Sequence, residues 1–129
     1  MANEKILVVD DDKNICELLR LYLVKEGYNV TMVHDGSAAL TEFDKLHPDL
    51  VLLDVMMPVM DGYQVLNTIR NMEKQRGIEG DDRVKIIMMT ALNEQKNVRK
   101  AFEMGCTVYC AKPVDLDKLK NVLKKLKLI

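Results

Sequence analysis

Residues 6–12 read Ile-Leu-Val-Val-Asp-Asp-Asp, so four apolar side chains are followed directly by three carboxylates. A continuous apolar run of this length is typical of a strand that is buried on both faces of a parallel sheet. A second run of this kind, at residues 50–53, also ends on a carboxylate, Asp54. The two runs predict buried parallel strands with acidic side chains at their carboxyl ends.

Strand-like and helix-like patterns alternate along the rest of the chain. Strands are predicted at residues 6–9, 29–33, 50–53, 84–89 and 107–111, and helices at 15–26, 38–46, from Asp61, at 93–104 and from Asp115. Such repeated β-α units favour an α/β three-layer sandwich, a doubly wound parallel five-stranded sheet with helices on both faces. A chain of 129 residues has room for one domain.

Composition and charge exclude several classes of protein. The chain is 48% hydrophobic and 30% charged with a net charge of −1, so no basic field points to nucleic acid or an anionic membrane. No apolar run is long enough to span a bilayer, and the first residues do not form a signal peptide.

The three cysteines form no C-x-x-C pair, which favours a reducing, cytoplasmic setting. Cys106 and Cys110 are in principle metal ligands. Since neither has a histidine partner nearby in the sequence, they and Cys16 are interpreted as small core residues.

Side chains that carry chemistry stand at the ends of four predicted strands. Strand one ends in Asp10 and Asp11, strand three in Asp54, strand four in Thr90 and strand five in Lys112. Because right-handed crossovers bring the carboxyl ends of parallel strands to one edge, we expect these side chains to converge there.

This set of side chains suits a phosphoryl group. Several carboxylates in a small space cannot all ionise unless a positive charge neutralises them, and Mg²⁺ prefers such oxygen ligands. Lys112 supplies a second positive charge. A carboxylate can then serve as the nucleophile and form an aspartyl phosphate, while the cations stabilise the transition state.

At these residues the chain resembles the receiver (CheY-like) domain of bacterial two-component response regulators. The resemblance covers essentially the whole chain and rests on residues 6–12, 53–62 (LDVMMPVMDG), 89–91 (MTA) and 109–113 (YCAKP). It implies a flavodoxin-like sheet in the order 2-1-3-4-5. Since the last predicted helix ends at the C-terminus, we expect a single stand-alone receiver domain over residues 1–129, with no output domain in this chain.

The resemblance implies a role for each site residue. Asp54 is the phosphoacceptor. Asp11 and Asp54 ligate Mg²⁺ directly, and Asp10 either ligates it or holds a metal-bound water. The backbone carbonyl of Met56 completes the protein ligands.

Four residues near the ends of strands four and five complete the implied set. Lys112 pairs with the phosphoryl group, Thr90 moves its hydroxyl onto a phosphoryl oxygen, and Tyr109 then changes rotamer. Pro113 is expected to follow a cis peptide that aims Lys112.

The resemblance also implies partners. The phosphoryl group comes from a sensor histidine kinase or a histidine phosphotransfer protein. A downstream protein target reads the surface of helix four, strand five and helix five, with no direct nucleic-acid or membrane partner. The chain is thus a phosphoacceptor signalling protein that catalyses its own phosphorylation and slow dephosphorylation, not an enzyme with a separate substrate.

Two features depart from the family pattern. Met56 lies two residues after Asp54 and Leu92 two after Thr90, and neither side chain can orient an attacking water. We therefore hypothesise a long-lived phosphoryl state. The polar stretch at 73–82 is longer than the usual connection, and is either a partner-specific surface or a tolerated insertion.

Three other functions compete with this interpretation. A Mg²⁺-dependent phosphatase needs a second acid two residues after the nucleophile, where Met56 stands. A small flavin-binding electron carrier needs a phosphate loop rich in Ser, Thr and Gly after strand one, where the acids stand. A receiver-like binding module that works without phosphorylation remains open.

Several other residues are interpreted as structural or surface residues. Asp12 is expected to cap the first helix, and His34 and His47 are isolated from other metal-ligating residues. The lysines at 118–127 are interpreted as the solvated face of an amphipathic helix.

Overall fold

The computed structural model describes residues 4–91, 98–112 and 114–126. Its strands are β1 (Lys5–Val9), β2 (Asn29–Val33), β3 (Leu50–Asp54), β4 (Lys85–Ala91) and β5 (Val108–Lys112). Its helices are α1 (Lys13–Lys25), α2 (Gly36–Leu46), α3 (Gly62–Gln75), α4 (Val98–Glu103) and α5 (Leu116–Lys125), with a 3₁₀ turn at Gly80–Asp82. The first half of the predicted fourth helix, together with Leu92 and Pro113, lies outside the described residues.

All neighbouring strands are parallel, and their order is β2-β1-β3-β4-β5. The predicted fold class and strand order are therefore confirmed. Val9 of β1 pairs with Leu53 of β3, so the next residues, Asp10 and Asp54, follow these strands side by side. Asp54 in turn pairs with Met89, one residue before Thr90. This register brings the predicted site residues to one edge of the sheet.

Helices cover both faces of the sheet. On one face, α1 and α5 bury a core with the sheet that includes Cys16, Leu19, Leu23, Leu119 and Leu123. On the other face, helices α2, α3 and α4 bury Phe43, Val65, Leu66, Ile69 and Ala101, among others. Leu7, Val8, Leu52 and Leu53 of the central strands are fully buried, which explains why their sequences show no polar alternation.

Aspartates cap the N-termini of α1, α2, α3 and α5. The Asp12 carboxylate accepts hydrogen bonds from the backbone N–H groups of Asn14 and Ile15, so its predicted role as the cap of α1 is confirmed. Asp61 and Gln64 form the reciprocal capping box at the start of α3. Asp35 caps α2, which therefore begins two residues before the predicted start at residue 38.

The polar stretch at 73–82 is less exposed than its composition indicates. Helix α3 continues to Gln75, and the Glu73 side chain within it is buried. Its carboxylate pairs with Arg70 at 2.7 Å and accepts the backbone N–H of Val84 at 2.7 Å. Arg70 also donates two hydrogen bonds to the carbonyl of Gly105. Because Val84 and Gly105 lie outside α3, periodicity alone did not reveal their contacts with Glu73 and Arg70.

The cysteines and His47 occupy structural positions, as the sequence predicts. Cys16 and Cys106 are buried and Cys110 is half-buried, all with free thiols. His47 ends α2 with a left-handed backbone conformation at φ 49°. Among the described helices, none combines the length and the apolar character that crossing a membrane requires.

Candidate functional site

Three carboxylates meet at the carboxyl edge of the sheet. Asp10 and Asp54 are 0% and 3% exposed, whereas Asp11 is exposed to solvent. One carboxylate oxygen from each of the three lies within 4.8 Å of the others. We call these three residues the acidic cluster. Its oxygen-only donor set fits a hard divalent cation such as Mg²⁺, for which Asp10, Asp11 and Asp54 are the available side-chain ligands.

Lys112 reaches the acidic cluster from β5. Its ammonium nitrogen lies 2.7 Å from Asp10 Oδ2 and 3.0 Å from Asp54 Oδ1, so one cation pairs with both buried carboxylates. Although burial works against a charged amine, these two ion pairs outweigh it and raise the pKa of Lys112. The amine is therefore a permanent positive charge at neutral pH.

Asp54 occupies an unfavourable place for a charge. Burial, and secondarily the neighbouring Asp10 carboxylate, raise the pKa of Asp54 to about 6, although Lys112 and the backbone N–H of Met56 oppose the shift. A further cation would relieve this repulsion and keep the carboxylate ionised. The electrostatics of the site thus favour the binding of a cation.

Backbone and side-chain contacts orient Asp10. The backbone N–H of Asp12 donates to Asp10 Oδ1 at 2.9 Å. On the other side, the Asp10 carbonyl accepts from the Cys16 thiol at 3.3 Å and lies 3.1 Å from His34 Nδ1. Since a carbonyl only accepts, His34 Nδ1 carries the proton. His34 is therefore structural, as the sequence predicts, although its contact with the site was not foreseen.

Gly62 sets the distance between α3 and β3, the strand that ends in Asp54. A Cβ at this position would lie 2.3 Å from the Asp54 carbonyl oxygen and 2.9 Å from Val55 Cα. The Gly62 N–H donates to the Val55 carbonyl at 2.9 Å. Only glycine allows this approach, so the first turn of α3 rests directly on the backbone of Asp54. The sequence signal was the Asp-Gly pair after Pro58.

Thr90 and Tyr109 lie on β4 and β5 rather than in the acidic cluster. Thr90 is fully buried, and its hydroxyl has no hydrogen-bond partner among the described residues. The Tyr109 hydroxyl lies 3.1 Å from the Tyr63 hydroxyl of α3, a neighbour that sequence patterns did not indicate. The structure thus joins Asp10, Asp11, Asp54 and Lys112 directly, with Thr90 one residue beyond the register partner of Asp54.

The chain can now be placed in a family. Residues 6–124 match the model of the response regulator receiver domain. The protein therefore belongs to the receiver domains of two-component response regulators, and the resemblance inferred from sequence is confirmed.

Curated relatives differ in how much of their length this chain spans. Sporulation initiation phosphotransferase F of Bacillus subtilis (strain 168) is 38% identical over 125 residues, which cover 97% of this chain and 94% of the relative. The DNA-binding response regulator MtrA of Mycolicibacterium smegmatis is 40% identical over 110 residues, but these cover 85% of this chain and only 44% of MtrA.

Solved structures agree with this placement. The response regulator TrrA of Thermotoga maritima, solved in complex with Mg²⁺-BeF, is 36% identical with a TM-score of 0.79, over 95% of this chain and 98% of TrrA. The receiver domain of Ssk1 from Saccharomyces cerevisiae was solved with the histidine phosphotransfer protein Ypd1. It is 28% identical with a TM-score of 0.88, over 97% of this chain and 89% of that one.

Proposed function

We propose that this chain accepts a phosphoryl group on Asp54 in a Mg²⁺-dependent reaction and thereby switches a protein-binding surface. The observation that carries the proposal is the position of the Asp54 carboxylate. It is buried at the end of β3, shares the acidic cluster with Asp10 and Asp11, and has Lys112 Nζ at 3.0 Å. A nucleophile, a cation site and a fixed ammonium are the parts that phosphoryl transfer requires.

In the proposed reaction, an Asp54 carboxylate oxygen forms a bond to phosphorus as the bond to the donor breaks. When the donor is a phosphohistidine, the P–N bond breaks and the imidazole leaves with the electron pair. Asp10, Asp11, Asp54 and the Met56 carbonyl would hold Mg²⁺, which supplies charge stabilisation to the transferring oxygens. Lys112 would leave its pairing with Asp54 Oδ1 and bind the phosphoryl group instead.

The switch proposed for the phosphorylated state uses Thr90 and Tyr109. The buried hydroxyl of Thr90, which has no hydrogen-bond partner among the described residues, would bond a phosphoryl oxygen on the neighbouring strand. Tyr109 lies beside a groove of about 580 Å³ between β5 and α5, which Cys110, Leu119 and Val122 also line. Phosphorylation would bias two states of this region, and a partner would bind one of them. The proposed partner surface is α4, β5 and α5.

A histidine kinase or histidine phosphotransfer protein is the proposed donor. The names of two relatives support it, since one is called a phosphotransferase and the other was solved with a histidine phosphotransfer protein. Exposed apolar side chains also follow two of the acidic segments in the chain. Met56 and Val59 lie in the loop after Asp54, and Leu18 and Leu21 lie on α1, which follows the acidic run at residues 10–12. A protein donor can cover exposed apolar side chains of this kind.

Intact mass spectrometry after incubation with acetyl phosphate and Mg²⁺ tests this function. We expect one phosphoryl adduct on the wild-type chain, none after addition of a chelator, and none on Asp54→Asn. Asp12→Asn is the matched control, because Asp12 belongs to the same acidic run but caps α1, and asparagine caps helices equally well. It should carry the adduct.

A phosphorylated histidine phosphotransfer protein then replaces acetyl phosphate as the donor. An adduct on Asp54→Asn, or labelling that survives the chelator, would contradict the proposal. The absence of any adduct with either donor would favour a receiver-like module that works without phosphorylation.

A further inference from the structure

The Tyr63–Tyr109 contact connects the start of α3 with the edge strand β5. The two hydroxyl oxygens are 3.1 Å apart, and both rings are half-buried against the core that α2, α3 and α4 form with the sheet. These residues are 46 positions apart in the sequence, so the contact exists only in the folded chain. It connects Tyr109, the proposed switch residue, to α3.

Tyr63 is itself held by the phosphoacceptor strand. It follows Gly62, whose N–H donates to the Val55 carbonyl and whose α-carbon leaves no room for a side chain against the Asp54 backbone. The capping box of Asp61 and Gln64 fixes the same turn. The position of the Tyr63 ring is therefore coupled to the backbone that carries the phosphoacceptor.

The ring of Tyr63 also contacts the proposed partner surface. The ammonium nitrogen of Lys100, on α4, lies 6.0 Å from the centre of the ring, within reach of a cation–π interaction. Burial, together with the hydrogen bond to Tyr109, raises the pKa of Tyr63. Its hydroxyl is thus protonated at neutral pH and can take part in the hydrogen bond as donor or acceptor.

We propose that Tyr63 is a latch that holds Tyr109 in its resting orientation and so sets the population of the active state. The inference rests on the proposed function, because it assumes that Tyr109 moves when Asp54 is phosphorylated. Movement of Tyr109 would break the hydroxyl contact, so the contact stabilises the resting state only. Tyr63 is a positioning residue in this scheme and does not touch the phosphoryl group.

Two-state linkage gives the size of the effect. A ligand that binds only the active state has an apparent affinity that scales with the population of that state. Removing one hydrogen bond from the resting state should therefore tighten beryllofluoride binding, in the presence of Mg²⁺, by about 2- to 10-fold. Tyr63→Phe removes the hydroxyl and keeps the ring that packs against the core and Lys100.

The first arm of the test uses the chain without Mg²⁺ or beryllofluoride. Tyrosine is replaced by 3-fluorotyrosine, and the ¹⁹F signal of Tyr109 is assigned with Tyr109→Phe. We expect Tyr63→Phe to shift and broaden this signal, because the ring of Tyr109 gains a second orientation. Tyr22→Phe, the same change on the opposite face of the sheet, should leave it unchanged.

The second arm measures beryllofluoride affinity by calorimetry. Tyr63→Phe should tighten binding in the wild-type chain and should add no further tightening in Tyr109→Phe, because the shared bond is already absent there. Tyr22→Phe should match the wild-type chain.

Each outcome of the two arms is decisive. An unchanged Tyr109 signal in Tyr63→Phe, an unchanged or weaker affinity, or additive effects in the double variant would overturn the latch. If the wild-type chain binds no beryllofluoride, the proposed function fails and the latch fails with it. The first arm would still show whether the contact orders Tyr109.

Discussion

The residues of the acidic cluster balance burial against charge. Two carboxylates with almost no exposure share one ammonium, and both of its contacts are within 3.0 Å. Such an arrangement leaves an excess of negative charge in a place of poor solvation. The cluster therefore favours a cation, or an anionic ligand that binds together with a metal cation. The stability of the protein should also depend on pH.

We expect Asp54→Asn to be more stable than the wild-type chain at neutral pH when a chelator is present. The pKa of Asp54 rises from 3.8 to about 6 on folding, so the folded chain binds more protons than the unfolded chain between these values. The wild-type free energy of unfolding therefore falls as pH rises through this window. Asparagine does not ionise, so the variant should gain at most about 3 kcal/mol above pH 6 and nothing near pH 4.

Urea denaturation of both chains between about pH 4 and 8 measures this difference. Saturating Mg²⁺ provides the control, because it should stabilise the wild-type chain more than the variant and reduce or reverse the gain. A stability difference that does not change with pH would contradict the assignment of the shift to Asp54.

Met56 tests the hypothesis of a long-lived phosphoryl state. Its side chain is 59% exposed, and its N–H donates to Asp54 Oδ1 at 3.3 Å, so residue 56 borders the proposed phosphoryl group. Met56→Asn should shorten the lifetime of the phosphoryl adduct several-fold, because an amide can orient the attacking water. Decay of the adduct is followed by mass. Val59→Asn, in the same loop and fully exposed, is the control; equal lifetimes in all three chains would disprove the hypothesis.

At the scale of elements, α3 connects the two ends of the sheet. Its first turn rests on the Asp54 backbone through Gly62, and its last turn carries the buried Glu73. Together, Glu73 and Arg70 join α3 to the start of β4 and to the turn after α4. Contacts with residues outside the helix thus fix α3 at both ends.

Glu73→Ala should lower the free energy of unfolding by about 3 kcal/mol, because it leaves the Val84 N–H without its acceptor and the largely buried Arg70 guanidinium without its counter-charge, with only the Gly105 carbonyl as acceptor. Urea denaturation measures the change. Asp44→Ala is the control, since it removes an ion pair with Arg76 whose partners are exposed, and it should cost at most about 1 kcal/mol. Equal losses of unfolding free energy in the two variants would show that Glu73 stabilises the fold no more than an exposed ion pair does.

In the molecule as a whole, the order and direction of the strands bring the site residues together. Asp10, Asp54, Thr90 and Lys112 come from four strands of one parallel sheet, and parallel pairing brings all four strand ends to the same edge. The helices bury both faces, so these four polar side chains meet at an edge of the sheet rather than on a face. The Arg70–Glu73 pair lies away from this edge, next to the start of β4, and serves stability.

Much of this architecture could be predicted from local patterns. Continuous apolar runs identified β1 and β3, because both faces of these strands are covered. Asp12 and Asp61 identified helix starts, because capping involves only neighbouring backbone groups. Three side chains of the candidate site could be predicted because Asp10 directly follows β1, while Asp54 and Lys112 end β3 and β5, and the fold class alone determines which edge these strand ends share. Thr90, predicted to end its strand, lies one residue before the end of β4, and Tyr109 within β5 was named only through the resemblance.

Other features were decided by packing between segments that are distant in the sequence. The burial of Glu73, the support of Asp10 by His34 and the Tyr63–Tyr109 contact leave no periodic signal, because their partners are 11, 24 and 46 residues away. Composition and motifs thus determined the fold class, the order of elements and the candidate acids. The pKa of Asp54, the pairing of Lys112 and the resting position of Tyr109 depend on distances of a few ångströms, and only the packing of the folded chain sets such distances.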